Sequence, residues 1–259
     1  MQVGRLVLDD EGEQFSEINY NPPPGAAKCF SSLVQRIMAA IADNLQVVRA
    51  RLDRVPGVTL LAVSKAQPLE RIREAVAAGQ NAFGENYVQE AVQKMEGMPA
   101  SFPPLEWHLI GPLQSNKTRL AAERFDWVQT VASEKIARRL SEQRPAGLAP
   151  LNVLIQVNVS AEETKSGVAL PEVPALASAI SALPRLKLRG LMAIPEPGAD
   201  SARYAAVKGL FDQLKGEFGF DTLSMGMSDD FDVAIAEGST MVRVGTAIFG
   251  ERKKQKTAA

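Results

Sequence analysis

Lys65 closes the apolar run Leu60-Leu61-Ala62-Val63-Ser64. A lysine leaving a buried strand is partly desolvated, which disfavours the ammonium and frees the amine to form a Schiff base with a carbonyl compound. The same position also suits a solvated lysine at a strand end. Two later segments carry anion chemistry: Ser224-Met225-Gly226-Met227-Ser228-Asp229-Asp230 and Val242-Arg243-Val244-Gly245-Thr246-Ala247. Gly226 and Gly245 permit close backbone approach, and Ser228 and Thr246 add hydroxyl donors. Backbone N–H groups at the start of a short helix would complete a phosphate cradle. Arg243 lies one strand repeat before Gly245 and can face the same space. The competing reading is two ordinary Gly/Ser turns beside a buried, salt-bridged arginine.

Asn86 ends Phe83-Gly84-Glu85. Its amide can donate to a phenolate-type oxygen, or it can cap the next helix, which is the commoner role in such a pattern. His108 is the only histidine and sits inside Trp107-His108-Leu109-Ile110, where a hydrogen-bonded core histidine is favoured over an acid/base. Gln114, Ser115, Asn116 and Lys117 follow as a polar rim, with Lys117 a solvated charge. One histidine and one cysteine, Cys29, argue against a zinc or multi-histidine metal centre, so no metal is expected. A lone cysteine forms no internal disulfide, which suits a reducing, cytoplasmic setting. No G-x-G-x-x-G or G-x-x-x-x-G-K-[ST] occurs.

A Schiff-base lysine beside a phosphate cradle implies a phosphorylated aldehyde, and pyridoxal 5′-phosphate (PLP) is the obvious candidate. An arginine near the pyridine nitrogen would keep that nitrogen unprotonated. The cofactor is then a weaker electron sink, and racemisation or simple binding becomes more plausible than extensive carbanion chemistry.

The elements that must position these residues alternate along the 259-residue chain. Eight β-rich apolar runs are expected at 59–64, 82–84, 107–110, 127–131, 153–159, 186–194, 222–227 and 241–249. Helical spacing lies between them: Val88, Ala91, Val92 and Met95 share a face, as do Val207, Leu210, Phe211, Leu214 and Phe218. Ser133 and Asp200 or Ser201 are N-cap candidates, and Gly79 and Gly238 suit helix C-termini. Runs such as Val153–Val159 are apolar on both faces, as parallel strands are. Eight strands alternating with helices predict a single (β/α)8 TIM barrel, with function at the C-terminal strand ends. A doubly wound open sheet is the runner-up. An entry helix is expected from Leu33, through Ile37, Ile41, Leu45, Val48 and Leu52, ending at Pro56-Gly57. Residues 1–37 are expected to be a loosely packed extension, 38–251 the barrel, and 252–259 a flexible tail.

Lys and Arg number 29 against 30 Asp and Glu, for a net charge of −1, which argues against a nucleic-acid partner. No apolar run approaches the ~18 residues of a membrane span, and the N-terminus, Met1-Gln2-Val3-Gly4-Arg5-Leu6-Val7-Leu8-Asp9-Asp10, lacks a signal-peptide pattern.

The strings LLAVSKAQP (60–68), AAGQNAFGENYVQEA (77–91), EWHLIGPLQSNK (106–117), LIQVNVSAEETKSG (154–167), LRGLMAIP (188–195) and LSMGMSDDFDVAIAEGSTMVRVGTAIFG (223–250) resemble the YggS/PROSC-type PLP homeostasis proteins. That family is similar to the N-terminal barrel of alanine racemase, and the likeness runs from about residue 38 to 251. The resemblance implies that Lys65 holds PLP as a Schiff base and that Asn86 lies near the ring oxygen. It further implies that Ser228, Gly245 and Thr246 bind the phosphate and that Arg243 faces the pyridine nitrogen. It implies a PLP carrier or regulator with no assigned catalytic residue, whose partners are PLP and apo PLP-dependent enzymes. A weak PLP-dependent amino-acid racemase is the alternative, and a cofactor-free Schiff-base aldolase a third reading. Alanine racemases add a β-rich domain and a catalytic tyrosine. Here nine residues follow Gly250, and none of Tyr20, Tyr87 and Tyr204 is placed as a second base. A monomer is expected, and Met38 is a candidate natural start because nothing in residues 1–37 resembles the family.

Overall fold

The computed structural model describes residues 40–160, 166–196, 198–228 and 230–251. Contacts divide the chain into residues 1–40 and 41–259, and the second unit holds the barrel. The expectations for residues 1–37, for Met38 as the start and for the 252–259 tail lie outside the described residues.

Helix α1 spans residues 40–52. Its buried residues, Ile41, Leu45, Val48 and Leu52, recur every three or four positions, so one face is apolar. β1 (Thr59–Val63) follows, then α2 (Leu69–Ala77), β2 (Ala82–Glu85), α3 (Val88–Glu96), β3 (Glu106–Leu109), α4 (Thr118–Arg124) and β4 (Trp127–Val131). The second half runs α5 (Glu134–Gln143), β5 (Leu151–Asn158), β6 (Val168–Ala169), α6 (Val173–Ser181), β7 (Leu186–Ala193) and α7 (Ser201–Phe218). It ends with β8 (Thr222–Ser224), α8 (Phe231–Ala236), β9 (Met241–Val244) and α9 (Thr246–Phe249). The expected N-caps are used. Ser133 Oγ accepts from Ile136 N–H at 3.4 Å, and Asp200 Oδ1 accepts from Ala202 N–H at 3.2 Å. Gly79 and Gly238 follow α2 and α8 in left-handed conformations.

The strands pair in the order β4-β3-β2-β1-β9-β8-β7-β5, and β4 also pairs with β5. That last pairing, through Trp127↔Asn152 and Val128↔Val153, closes the sheet and excludes the open doubly wound alternative. The ring is an eight-stranded parallel barrel, as expected; β6 is a two-residue addition alongside β5. Residue-by-residue register carries one face around it. Leu61 pairs with Arg243, Gly84 with His108, His108 with Trp127, and Ser224 with Met241. Leu61, Ala82, Ile110, Met241 and Val63 pack together on this inner face, and Trp127, Leu154 and Met192 form a second cluster there. The much larger core lies between strands and helices. Strands buried on both sides explain the absence of polar alternation in the sequence.

Two apolar runs overshoot their strands. The seventh stops at Ser224, because Gly226 turns the chain at φ +90°. The eighth stops at Val244, and its remaining apolar residues, Ile248 and Phe249, are buried from a short helix. No helix among the described residues is long and apolar enough to cross a membrane.

Candidate functional site

β1 lies between β2 and β9, so their C-terminal ends are neighbours. Ala62 is level with Phe83 and with Val244. Lys65, Asn86 and Gly245 therefore leave adjacent strands at one end of the barrel. By alternation from Leu61 and Val63, Lys65 continues the inner face, and it is half-buried. The half-buried Asn86 directly follows β2, and Gly111 packs on its backbone, so that a Cβ at Gly111 would fall 2.2 Å from the Asn86 carbonyl oxygen. The capping expectation for Asn86 is not met. The N-cap of α3 is Tyr87, with no side-chain capping bond, because the chain stays extended one residue longer.

The turn that carries Lys65 is held from below by charges on α3. The Lys94 ammonium donates to Ser64 O at 2.8 Å, Glu85 Oε1 at 2.7 Å and Glu90 Oε1 at 2.6 Å, which uses all three of its protons. Ser64 Oγ donates to the same Glu85 oxygen at 2.6 Å, and Ala66 N–H donates to Glu90 Oε1 at 2.6 Å. The residues on both sides of Lys65 are thus tied to one ion cluster. Ala66 is left-handed at φ 56°, a conformation an alanine holds only when its surroundings impose it. Burial pushes the Glu85 carboxyl up, against the lowering effect of Lys94.

The β8–α8 and β9–α9 turns meet. Gly245 N–H donates to Ser228 Oγ at 3.3 Å, while Thr246, the first residue of α9, is exposed. Asp230 braces the first turn: it accepts from Met227 N–H and, at 2.5 Å, from the Tyr204 hydroxyl on α7. Burial, reinforced by Asp230, pushes the Tyr204 phenol up, so it stays a proton-bearing donor. Gly226 has no room for a side chain. A Cβ there would lie 2.7 Å from Ala234 Cβ and 2.9 Å from Phe231 Cα. Gly226→Ala, which adds that clash to a left-handed backbone, is expected to cost at least about 2 kcal/mol and lower Tm by roughly 5 °C. Thermal unfolding followed by circular dichroism checks it.

Arg243 on β9 is buried on the inner face. Nη1 donates to Ser224 O at 2.8 Å and Ser224 Oγ at 2.7 Å, and Nη2 donates to Ala193 O at 2.9 Å. These acceptors are all neutral, so the competing reading of a salt-bridged arginine is replaced by a cation held by two backbone carbonyls, one on β8 and one on β7, and one hydroxyl. Burial pulls the guanidinium down to about 10, which leaves it protonated at neutral pH.

His108 is a core histidine, as expected. It is fully buried, stacked on Trp127 at 5.0 Å between ring centroids, and hydrogen-bonded to Glu106 through Nε2 at 2.7 Å. Burial holds its pKa below the ordinary value despite Glu106. Below about pH 6.5 the unfolded chain protonates its histidine while the buried ring stays neutral. The unfolded state then binds more protons, so stability falls as pH drops from 7 to 5. This histidine contributes at most about 1.4 kcal/mol per pH unit. With only one histidine in the chain, urea unfolding of wild type and His108→Asn is expected to show a steeper loss in the wild type over that window.

Lys94, Glu85 and Glu90 were not legible as site residues. Glu90 and Lys94 are spaced i, i+4, which on sequence reads as an exposed helix pair. Only the fold turns that face toward Ser64. Ser224 and Gln129 likewise read as incidental polar residues within strands. Among the described residues, no group of three metal-ligating side chains occurs.

Residues 38–253 match the family defined by the alanine racemase N-terminal domain. A protein of Pseudomonas aeruginosa named pyridoxal phosphate homeostasis protein is 56% identical over 225 residues, which span 83% of this chain and 97% of the relative. A protein of Escherichia coli K12 with the same name is 53% identical over 226 residues, covering 85% and 97%. PipY of Synechococcus elongatus, solved with PLP bound, superposes with a TM-score of 0.73 at 38% identity, covering 81% of this chain and all of PipY. Alanine racemase of Corynebacterium glutamicum shares the fold, with a TM-score of 0.65 at 22% identity, and this chain covers 61% of it.

Proposed function

The chain belongs to the alanine racemase N-terminal domain family, among the pyridoxal phosphate homeostasis proteins, and we propose that it binds PLP to store, buffer or deliver it within the cytoplasm, without a committed catalytic activity. The observation that carries this reading is the meeting, at one end of the barrel, of an amine, a buried cation and two turns rich in backbone N–H and hydroxyl groups. The donor set fits the group. An aldehyde matches the Lys65 amine, which would hold it as a Schiff base. A phosphate dianion matches Ser228, Gly245 and Thr246, and Gly226 shapes the turn beside them with no side chain in the way. A heteroaromatic ring with a lone pair matches Arg243, and the ring oxygen matches the Asn86 amide. When bound, PLP supplies an electrophilic aldehyde conjugated to an electron-withdrawing ring.

The residues themselves favour binding over turnover. Arg243 remains a cation and offers only N–H donors, so it stabilises a ring nitrogen's lone pair and not its protonated form. Tyr204 is buried and committed to Asp230, and Tyr87 points to solvent with 66% exposure. Neither is a poised second base, a role typically worth ~10²–10⁴-fold. Apo PLP-dependent enzymes are the natural recipients, and a monomer suffices for this role.

The test is an absorbance titration of the purified chain with PLP, followed by borohydride reduction and a turnover assay on D- and L-amino acids. A visible band, trapped on Lys65 by reduction and without turnover, supports the carrier. Sustained racemisation would replace it with a weak racemase. No band at saturating PLP would overturn the reading.

A further inference from the structure

An unbroken hydrogen-bonded chain crosses the barrel interior beneath the site. Arg243 Nη1 donates to Ser224 Oγ at 2.7 Å, and Ser224 Oγ donates to Gln129 Oε1 at 2.8 Å. Gln129 Nε2 meets His108 Nδ1 at 2.9 Å, and His108 Nε2 meets Glu106 Oε1 at 2.7 Å. Ser224, Gln129 and His108 are fully buried, on β8, β4 and β3. Glu106, at the start of β3, is the half-exposed end, so the chain runs from the opposite end of the barrel to the guanidinium.

The direction of every proton in it is forced. A guanidinium only donates, so Ser224 Oγ must accept from it and spend its single proton on Gln129 Oε1. That fixes the amide, with Nε2 toward His108. Nδ1 is therefore the bare nitrogen, and Nε2–H points at the Glu106 carboxylate. No member can turn round without setting a buried donor against a donor or an acceptor against an acceptor. Burial, which keeps His108 neutral, agrees with this single arrangement. A chain polarised from a cation to a carboxylate strengthens each of its bonds.

We propose that Gln129, acting through Ser224, is a positioning residue that fixes the Arg243 guanidinium for the ligand's ring. The backbone carbonyls of Ser224 and Ala193 alone would leave one Nη1 proton without its side-chain acceptor. Gln129 also contacts Met241 Sδ at 3.2 Å, so the amide is packed as well as bonded. This inference rests on the reading of the site as one for PLP.

The experiment compares the full-length wild type with Gln129→Met and Ser224→Ala, in PLP titrations that record the dissociation constant, the absorbance maximum and Tm. Met nearly preserves the volume and removes both amide groups. Ser224→Ala tests the same chain by a smaller deletion should Gln129→Met not fold. The expected result in either variant is a dissociation constant raised about three- to tenfold, the net worth of one ordinary hydrogen bond, with a displaced absorbance maximum. A lowered Tm with wild-type affinity and an unmoved maximum would make the chain merely structural and overturn the inference while the PLP reading stands. A wild type with no band would overturn the PLP reading, and this inference with it.

Discussion

Lys65→Ala is expected to abolish the visible band of the PLP complex and to weaken PLP binding by at least about a hundredfold, or ~2.7 kcal/mol. The reasoning is positional. Lys65 continues the inner face of β1 beyond Val63, next to the end of β9 and its Gly245–Ser228 contact. On the proposed reading, removing the amine would delete the one covalent tether and leave the proposed anion and ring contacts. Residual affinity should therefore persist, and should be lost on raising the ionic strength or adding inorganic phosphate as competitor. Equilibrium dialysis with the two proteins side by side measures both parts. The substitution shortens a half-buried side chain at a strand end, so Tm should change little. A variant that retained the band would move the tether to another lysine and sink the assignment of Lys65.

The barrel was legible because parallel strands buried on both faces announce themselves as continuous apolar runs, and all eight were found where expected. Their ends were less legible. Met225 and Ile248 are as apolar as strand residues, yet one lies just beyond β8 and the other in α9, and both are buried. Hydrophobicity records burial and does not distinguish the element that achieves it. The candidate ligand-facing residues could be picked out because a lysine, an arginine and glycine-hydroxyl pairs at strand ends are conspicuous there. Their supports could not. Gln129 lies inside the run Trp127-Val128-Gln129-Thr130-Val131, and its partners Ser224 and His108 are 95 and 21 residues away. Contacts of that range follow from closure of the barrel, which no local pattern encodes. The helix-capping expectation for Asn86 was missed for a smaller reason, a one-residue difference in where α3 begins.

Lys94→Met is expected to be the most destabilising of these substitutions, at about 3–5 kcal/mol, because it removes the cation from a buried pair and leaves the anion behind. Glu85 is fully buried, and among the described residues its Oε2 has no hydrogen-bond partner and its Oε1 is met only by Lys94 and Ser64. At roughly 2–4 °C per kcal/mol for a domain of this size, Tm should fall by about 10 °C. The loss should depend on pH with a definite sign. Burial already raises the Glu85 carboxyl above its usual value with Lys94 in place, and without the cation it rises further. The folded variant then holds a proton that the unfolded chain releases above about pH 4.3. Its stability is retained at low pH and lost as pH rises through the folded value, so the deficit against wild type should widen between pH 5 and 8. Lys94→Met/Glu85→Gln, which replaces the stranded carboxylate by a neutral amide, should remove that pH dependence and recover part of the stability. Neither variant restores the bond from Lys94 to Ser64 O, the strut directly before Lys65. Slower trapping of PLP by borohydride should therefore persist in the double variant after its stability has partly returned. That separation of folding from site geometry is measurable by urea unfolding beside single-turnover reduction, and trapping that recovers together with stability would reduce the ion cluster to a scaffold with no hold on the Lys65 turn.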